Sequence, residues 1–502
     1  MIRQIIRSEY LKLVPILALA FYVAFIPHLS YPYALHVDEW VHLARSGAMI
    51  EAGSASIADT LSGGSYVGIS ANLEAGYQLF WGVFQSISGI HWMDISRYFP
   101  SVVFMITVLS VYVMAKREGF GPEAAFFTCL IPTTVGVLGP AFLVPVSMGL
   151  LFTPLILFLA FSYKTIWSYL LIFILICFLL AIHAPSAICP IIVLFPYILL
   201  NIKGNFRHSL GIILALLLPF FIIFPWIFSL LLPTVKGLFA QTDHSEYVLL
   251  PRVIEEYGYM PIVLCLLGIF SLAIKGGRKR YGLVLGLLAI MLMLVCYYSL
   301  HYGVWIMYER GLTYMMLMMG IIAGAGLVAI RDFKLPEKIG AWMKMPFVTQ
   351  YTGKFVYLVL IVVTLVLVIP ARLDTSYYYM IDEEDYQAFA WIQDNLGDEY
   401  GKAVLDPWKA TAFSAITGKT MYSRIHAYPM EKDKEAYSFI RGSSTDTDFL
   451  KENGISVVYT RVYDGPTDGN IEYDSNNPDL VKVAENIYLL KENDTSEDEG
   501  VP

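Results

Sequence analysis

Cysteine is scarce in this chain, and charge is scarcer still where ion transport would need it. The five cysteines (Cys129, Cys177, Cys189, Cys265 and Cys296) all fall within apolar runs, so neither a disulfide framework nor a thiolate metal site is expected. Those runs carry essentially no ionisable side chain at mid-depth, whereas ion-coupled carriers need acids, bases or broken helices there. Sequence repeats, low-complexity tracts and paired interrupted helices are missing too, which weighs against an inverted-repeat transporter. Nor is there a basic excess: the net charge is −8, which argues against a nucleic-acid partner. The first apolar run lacks a small-residue cleavage site and is expected to remain as a span.

What is present is apolar residues in long stretches. They make up 57% of the chain, charged residues 15%, and mean hydropathy is +0.59. Such a composition indicates an α-helical polytopic membrane protein. Eleven spans are predicted, at about 13–32, 98–115, 122–139, 146–163, 167–183, 186–201, 209–232, 259–274, 282–300, 312–330 and 355–371. If the N-terminus is cytoplasmic, the inner segments hold 17 Lys and Arg, against five in the outer loops before residue 372. Positive charge is retained inside, so the expected topology is N-in and C-out at the cell membrane. On it, eight of the nine histidines lie at the outer face.

An odd number of spans leaves residues 372–502 outside, with 26 acidic and 12 basic residues. There Glu383–Leu396 reads as a helix and a second helix falls near 446–453. Ala403–Leu405, Thr420–Tyr422, Val457–Thr460 and Ile487–Leu490 read as strands, which together suggest a small α/β domain. The expected organisation is a membrane domain over 1–371, an extracytoplasmic domain over 372–492 and a disordered tail over 493–502.

The chemistry gathers in the outer loop at 34–96. Asp38 and Glu39 stand side by side just past the first span, at the start of a candidate helix over 38–51. Adjacent carboxylates at a membrane exit can orient a nucleophile or hold a divalent cation, Mg or Mn. They are equally at home as acids favoured at a helix N-terminus. His42 follows one helical turn after Asp38. Glu74 closes a Gly/Ser-rich stretch and is a second candidate for a cation or an acceptor. Tyr77, Phe80, Trp81 and Phe84 then recur at helical spacing over 75–88, as in an interfacial helix. Asp243 and His244, in the outer loop at 233–257, are further candidates for acceptor contact. No cofactor is assigned with certainty.

Val37-Asp38-Glu39-Trp40, followed by Ser96-Arg97-Tyr98 entering the second span and by Tyr308-Glu309-Arg310-Gly311 entering a late one, resembles the GT-C membrane glycosyltransferases. These include protein O-mannosyltransferases, aminoarabinose transferases and oligosaccharyltransferase catalytic subunits. The resemblance implies a GT-C-like fold and an inverting sugar transfer from a polyprenyl- or dolichyl-phosphate donor to an extracytoplasmic protein, glycan or lipid. It implies Asp38 and Glu39 as the catalytic carboxylates, one of them deprotonating or orienting the acceptor as base. For the lipid phosphate it suggests Arg310 first, then Arg252, with His183 at the same height; guanidinium suits phosphate by its bidentate fork. Leu405-Asp406-Pro407-Trp408 is similar to the start of the soluble domain of oligosaccharyltransferases, but their Trp-Trp-Asp-Tyr-Gly block is missing. Residues 139–147 also lack their second acidic motif. Both departures weigh against en bloc transfer to asparagine and against an essential metal. The competing readings are a diverged oligosaccharyltransferase-like subunit and a non-catalytic transporter or assembly protein.

Overall fold

The computed structural model of the chain describes residues 9–63, 65–68, 72–134, 136–238, 250–334, 346–397, 400–425, 429–463 and 478–491. In chain order it runs α1 (Glu9–Phe25), α2 (Val37–Ala52), β1 (Ile57–Asp59), β2 (Ser65–Val67), α3 (Ala75–Ser88) and α4 (Trp92–Lys116). Next come α5 (Gly121–Thr128), α6 (Pro145–Ser162), α7 (Ile166–Ile182), α8 (Ala184–Ile202) and α9 (Phe206–Leu238). Helices α10 (Leu250–Tyr257), α11 (Tyr259–Lys275), α12 (Arg278–Leu300), α13 (Trp305–Arg331) and α14 (Pro346–Leu373) complete the apolar part. Two compact units emerge, one of residues 1–32, 73–77 and 93–377, the other of 33–72, 78–92 and 378–502.

The first unit is a helical membrane body. Among the described residues, eight helices are long and apolar enough to cross a bilayer, or nine if the bent pair α10–α11 counts as one span; α7 adds an apolar helix of 17 residues. The span expected at 122–139 is corrected: its helix stops at Thr128. Pro132 has no N–H and disfavours helix in the residue before it, and local polar contacts take over. Ala141 N–H donates to Thr133 Oγ1 (2.9 Å) and Ser147 Oγ to the Gly139 carbonyl (2.8 Å). Gly139 comes so close to Pro132 that a Cβ there would lie 2.0 Å from its carbonyl oxygen.

Helix α13 is the hub, with 89% of its apolar window buried. Small residues allow this, since helices in lipid gain most from close packing. A Cβ on Gly268 of α11 would lie 2.0 Å from the Ile322 carbonyl oxygen, and one on Gly326 equally close to that of Leu264. Gly268→Leu should therefore force α11 and α13 apart at a cost of about 1–3 kcal/mol, read as a lowered unfolding temperature of the protein in detergent. An unchanged temperature would disprove this packing.

The second unit adds α15 (Glu383–Asn395), β3 (Lys402–Val404), α16 (Ala410–Thr417), β4 (Thr420–Met421), α17 (Glu431–Arg441), α18 (Thr447–Glu452), β5 (Val457–Tyr459), β6 (Leu480–Ala484) and β7 (Ile487–Leu490). Its sheet has the order β4-β3-β5-β7-β6, with β4, β3 and β5 parallel and the β6–β7 hairpin antiparallel at one edge. Val404, Phe439, Ile440, Leu450 and Val458 form its core. Most of the loop between α1 and α4, residues 33–72 and 78–92, belongs to this same unit. Its β1–β2 hairpin turns through Thr60, whose hydroxyl lies 2.6 Å from that of Ser414 on α16.

At the centre of the unit a charged group is buried. Lys409 Nζ donates to both oxygens of Asp385 (2.9 and 2.8 Å), and the Tyr459 hydroxyl donates to Asp385 Oδ1 at 2.6 Å. Both charged side chains are 0% exposed.

Candidate active site

The three parallel strands of the second unit end on one edge of the sheet, the place where open α/β sheets gather ligands. β3 runs into Asp406-Pro407-Trp408, β4 into Tyr422–Arg424, and β5 into Thr460–Tyr463. Asp406 ties two of these ends together, for its Oδ1 accepts the Trp408 N–H and its Oδ2 the Tyr463 N–H, each at 2.9 Å. Burial pushes this carboxyl up to about 6, against the lowering effect of those two N–H groups. The third end is held by Ile425 N–H, which donates to the Pro407 carbonyl at 3.1 Å.

Aromatic rings line this edge. Trp408 stacks on Tyr378, with centroids 5.8 Å apart, and lies 6.1 Å from the Tyr463 ring. Tyr378 in turn is 6.0 Å from the imidazole of His36, so the row leads to the first turn of α2, where the acidic pair stands.

The pair divides. Glu39 is 0% exposed, and its Oε2 accepts the backbone N–H groups of Leu35 (2.7 Å) and His36 (2.9 Å). It is half of a capping box, with His36 as N-cap, so its carboxylate closes the helix start. The Asp38 side chain is 21% exposed. His36 Nδ1 accepts the Asp38 backbone N–H at 3.1 Å and lies 3.8 Å from Asp38 Oδ2, too far for a hydrogen bond. A carboxylate there also sits at the positive end of the helix dipole.

Arg424 is the residue the sequence did not single out. Burial lowers its guanidinium, as does Arg45, while Asp59, Asp38 and Asp433 oppose that effect. Among the described residues its Nη1 is buried without a hydrogen-bond partner. Arg45 is spoken for: its Nε and Nη2 donate to Asp59 Oδ2 at 3.2 and 2.7 Å. Nothing in Ser423-Arg424-Ile425 marks the arginine locally; only the strand order brings it toward α2.

The other expected residues are dispersed. His42 is buried, its Nδ1 3.4 Å from Gln78 Nε2, and Gln78 accepts from Asn72 at 2.7 Å. Glu74, in the first unit, lies half-buried in the turn before α3. His183 joins α7 to α8, buried, with Nδ1 2.6 Å from Ser186 Oγ. Arg310 lies in the second turn of α13, its side chain 16% exposed and its Nη1 3.7 Å from Glu309; its Nε is buried with no hydrogen-bond partner among the described residues. Arg252 is 70% exposed and pairs with Glu256 one turn on, at 3.6 Å. Asp243 and His244 lie outside the described residues.

No group of three or more His, Cys, Asp or Glu side chains is gathered as for a metal among the described residues. Beside Asp38, Glu39 Oε2 and His36 Nδ1 are both engaged by backbone N–H groups. These side chains do not make a closed donor set for a divalent cation.

No protein-family model matches the chain, and no curated protein matches it in sequence. Solved structures do. The archaeal oligosaccharyltransferase AglB from Archaeoglobus fulgidus, in complex with an inhibitory peptide and a dolichol-phosphate, superposes with a TM-score of 0.59 at 12% identity, over 91% of this chain and 70% of that one. The Archaeoglobus fulgidus oligosaccharyltransferase tethered to an acceptor peptide containing the NVT sequon gives 0.58 at 12%, over 90% and 69%. ArnT from Cupriavidus metallidurans, bound to undecaprenyl phosphate, gives 0.53 at 15%, over 90% and 96%. With its apolar helices and small α/β unit, this multi-pass membrane protein has the GT-C fold of those membrane glycosyltransferases.

Proposed function

We propose that this protein is a membrane glycosyltransferase that moves a sugar from a polyprenyl- or dolichyl-phosphate carrier to an extracytoplasmic acceptor, with inversion. One observation carries the reading: of the two adjacent acids, Asp38 keeps a part-exposed carboxylate at a helix start beside an aromatic row, while Glu39 is occupied as a cap. The structural neighbours bound to dolichol-phosphate and undecaprenyl phosphate support the class of carrier.

In the proposed reaction an acceptor hydroxyl or amide attacks the anomeric carbon from the face opposite the phosphate. The new bond forms as the carbon–oxygen bond to phosphate breaks, and the electron pair leaves on the phosphate. The acceptor's proton goes to Asp38, acting as general base. A lipid phosphate is already a fair leaving group, so base and cation suffice without a covalent intermediate. Arg310 is assigned to the departing phosphate, since its buried Nε has no hydrogen-bond partner among the described residues and guanidinium matches phosphate geometry. The half-buried faces of Tyr378 and Trp408 are assigned to the acceptor.

The reading is tested with purified protein in detergent, a radiolabelled polyprenyl-phosphate sugar and a cell-envelope acceptor fraction. Arg310→Ala should lower kcat/KM for the donor about 100-fold, as loss of a charge-assisted phosphate contact does, and Arg310→Lys should recover part of it. Transport of the lipid sugar across vesicles without any covalent product would overturn the proposal.

A further inference from the structure

The opposite edge of the same sheet carries a cavity that the proposed reaction does not use. There β3 and β4 begin, at Lys402 and Thr420, Ser456 precedes β5, and β7 ends just before Lys491. A cavity of about 620 Å³ opens between them, within the size range of small-ligand sites. Lys402, Lys451 and Lys491 line it, with Thr420, Ser456 and Tyr400. No carboxylate is among its described lining residues. Asp479 is 3.6 Å from Lys451 Nζ, and Lys402 Nζ donates one proton to the Asn453 carbonyl at 2.8 Å. An ammonium has three donors, so that bond uses one of them.

The charge runs against its surroundings. Residues 372–502 hold 26 acids and only 12 bases, yet three of those bases converge on one cavity. Asp479 offsets one of them, and the positive charge that remains favours taking up an anion. The rest of the lining is amphipathic: hydroxyls that match sugar hydroxyls, and Tyr400, Ile455 and Leu490 for the C–H face of a ring.

We propose that this cavity binds an acidic sugar, a glycan unit bearing a carboxylate, sulfate or phosphate. Neither Asp38 nor Arg310 lines it, so the site stands whether or not the transfer reaction does.

Titration calorimetry on the full chain in detergent tests this, with three probes: a hyaluronan tetrasaccharide, neutral cellotetraose and inorganic phosphate. The hyaluronan tetrasaccharide should bind, more weakly as salt rises, and cellotetraose should not. The double variant Lys451→Gln, Lys491→Gln should weaken binding by about tenfold or more, as loss of charge-assisted contacts requires. Asp38→Asn should leave it unchanged. Equal binding of the neutral sugar, or binding indifferent to both lysines, would overturn the proposal. Saturation by phosphate with no uptake of hyaluronan would overturn it too, in favour of a free-anion site.

Discussion

Asp38→Asn should abolish sugar transfer while the protein stays folded and abundant in the membrane. The substitution keeps the shape of the side chain and removes only its charge and basicity. The helix start itself is closed by Glu39 and His36, and the Asp38 carboxylate is part-exposed. A general base contributes about 100- to 10,000-fold, so the rate should fall by that factor with donor binding kept. Glu39→Gln is the informative contrast. It should weaken α2 by about 1 kcal/mol through the cap and lower activity only as far as folding suffers. Arg424 enters the same comparison as a positioning residue: Arg424→Gln should reduce the rate, and Arg424→Lys should restore most of it by keeping the charge toward Asp38. Transfer by Asp38→Asn at the wild-type rate would remove the base assignment, whatever the other variants do.

Lys409→Met should be the most damaging single change in the second unit. It takes the lysine from the Asp385 carboxylate, 0% exposed, and leaves beside it the Tyr459 hydroxyl, the Asp382 N–H at 3.0 Å and Arg461 at 3.3 Å. Breaking a buried pair in this way costs about 3–5 kcal/mol. The expected result is a full-length protein that unfolds at lower denaturant, with the tryptophans at 391 and 408 reporting the change. The double variant Lys409→Met, Asp385→Leu should recover much of the loss, because apolar replacement of both partners leaves no uncompensated charge. If the double variant is as unstable as the single one, packing and not the stranded charge explains the effect.

Much of the helical framework was legible in the residues. The helix expected over 75–88 is α3, with Tyr77 and Trp81 of its aromatic stripe buried and Phe80 exposed. The helix expected over 38–51 is α2, ended by Gly53 with φ 58°. The strands at 403, 420, 457 and 487 all exist within about two residues. The failures have causes. A window over 122–139 is apolar enough to read as a span, but hydropathy does not register that Pro132 and Gly139 fold the segment onto itself. Helix α17 was missed because only Ala436, Phe439 and Ile440 of its eleven residues are buried apolar ones, too few for a clear stripe. At the acidic pair the spacing His36-x-x-Glu39 lacks the Ser or Thr of a familiar capping box, so nothing in the order of residues said which acid would close the helix.

Hydropathy, turn residues and helix periodicity are local quantities, summed over windows of a few turns, and they alone were enough for a chain of apolar helices with an acidic α/β segment. Contacts between distant positions are not summed that way. Thr60 meets Ser414 across 354 positions, and Arg424 and the three lysines take their places from strand order, which no window contains. Which carboxylate stays part-exposed, which guanidinium interacts with it, and which lysines line one cavity are therefore decided by packing alone.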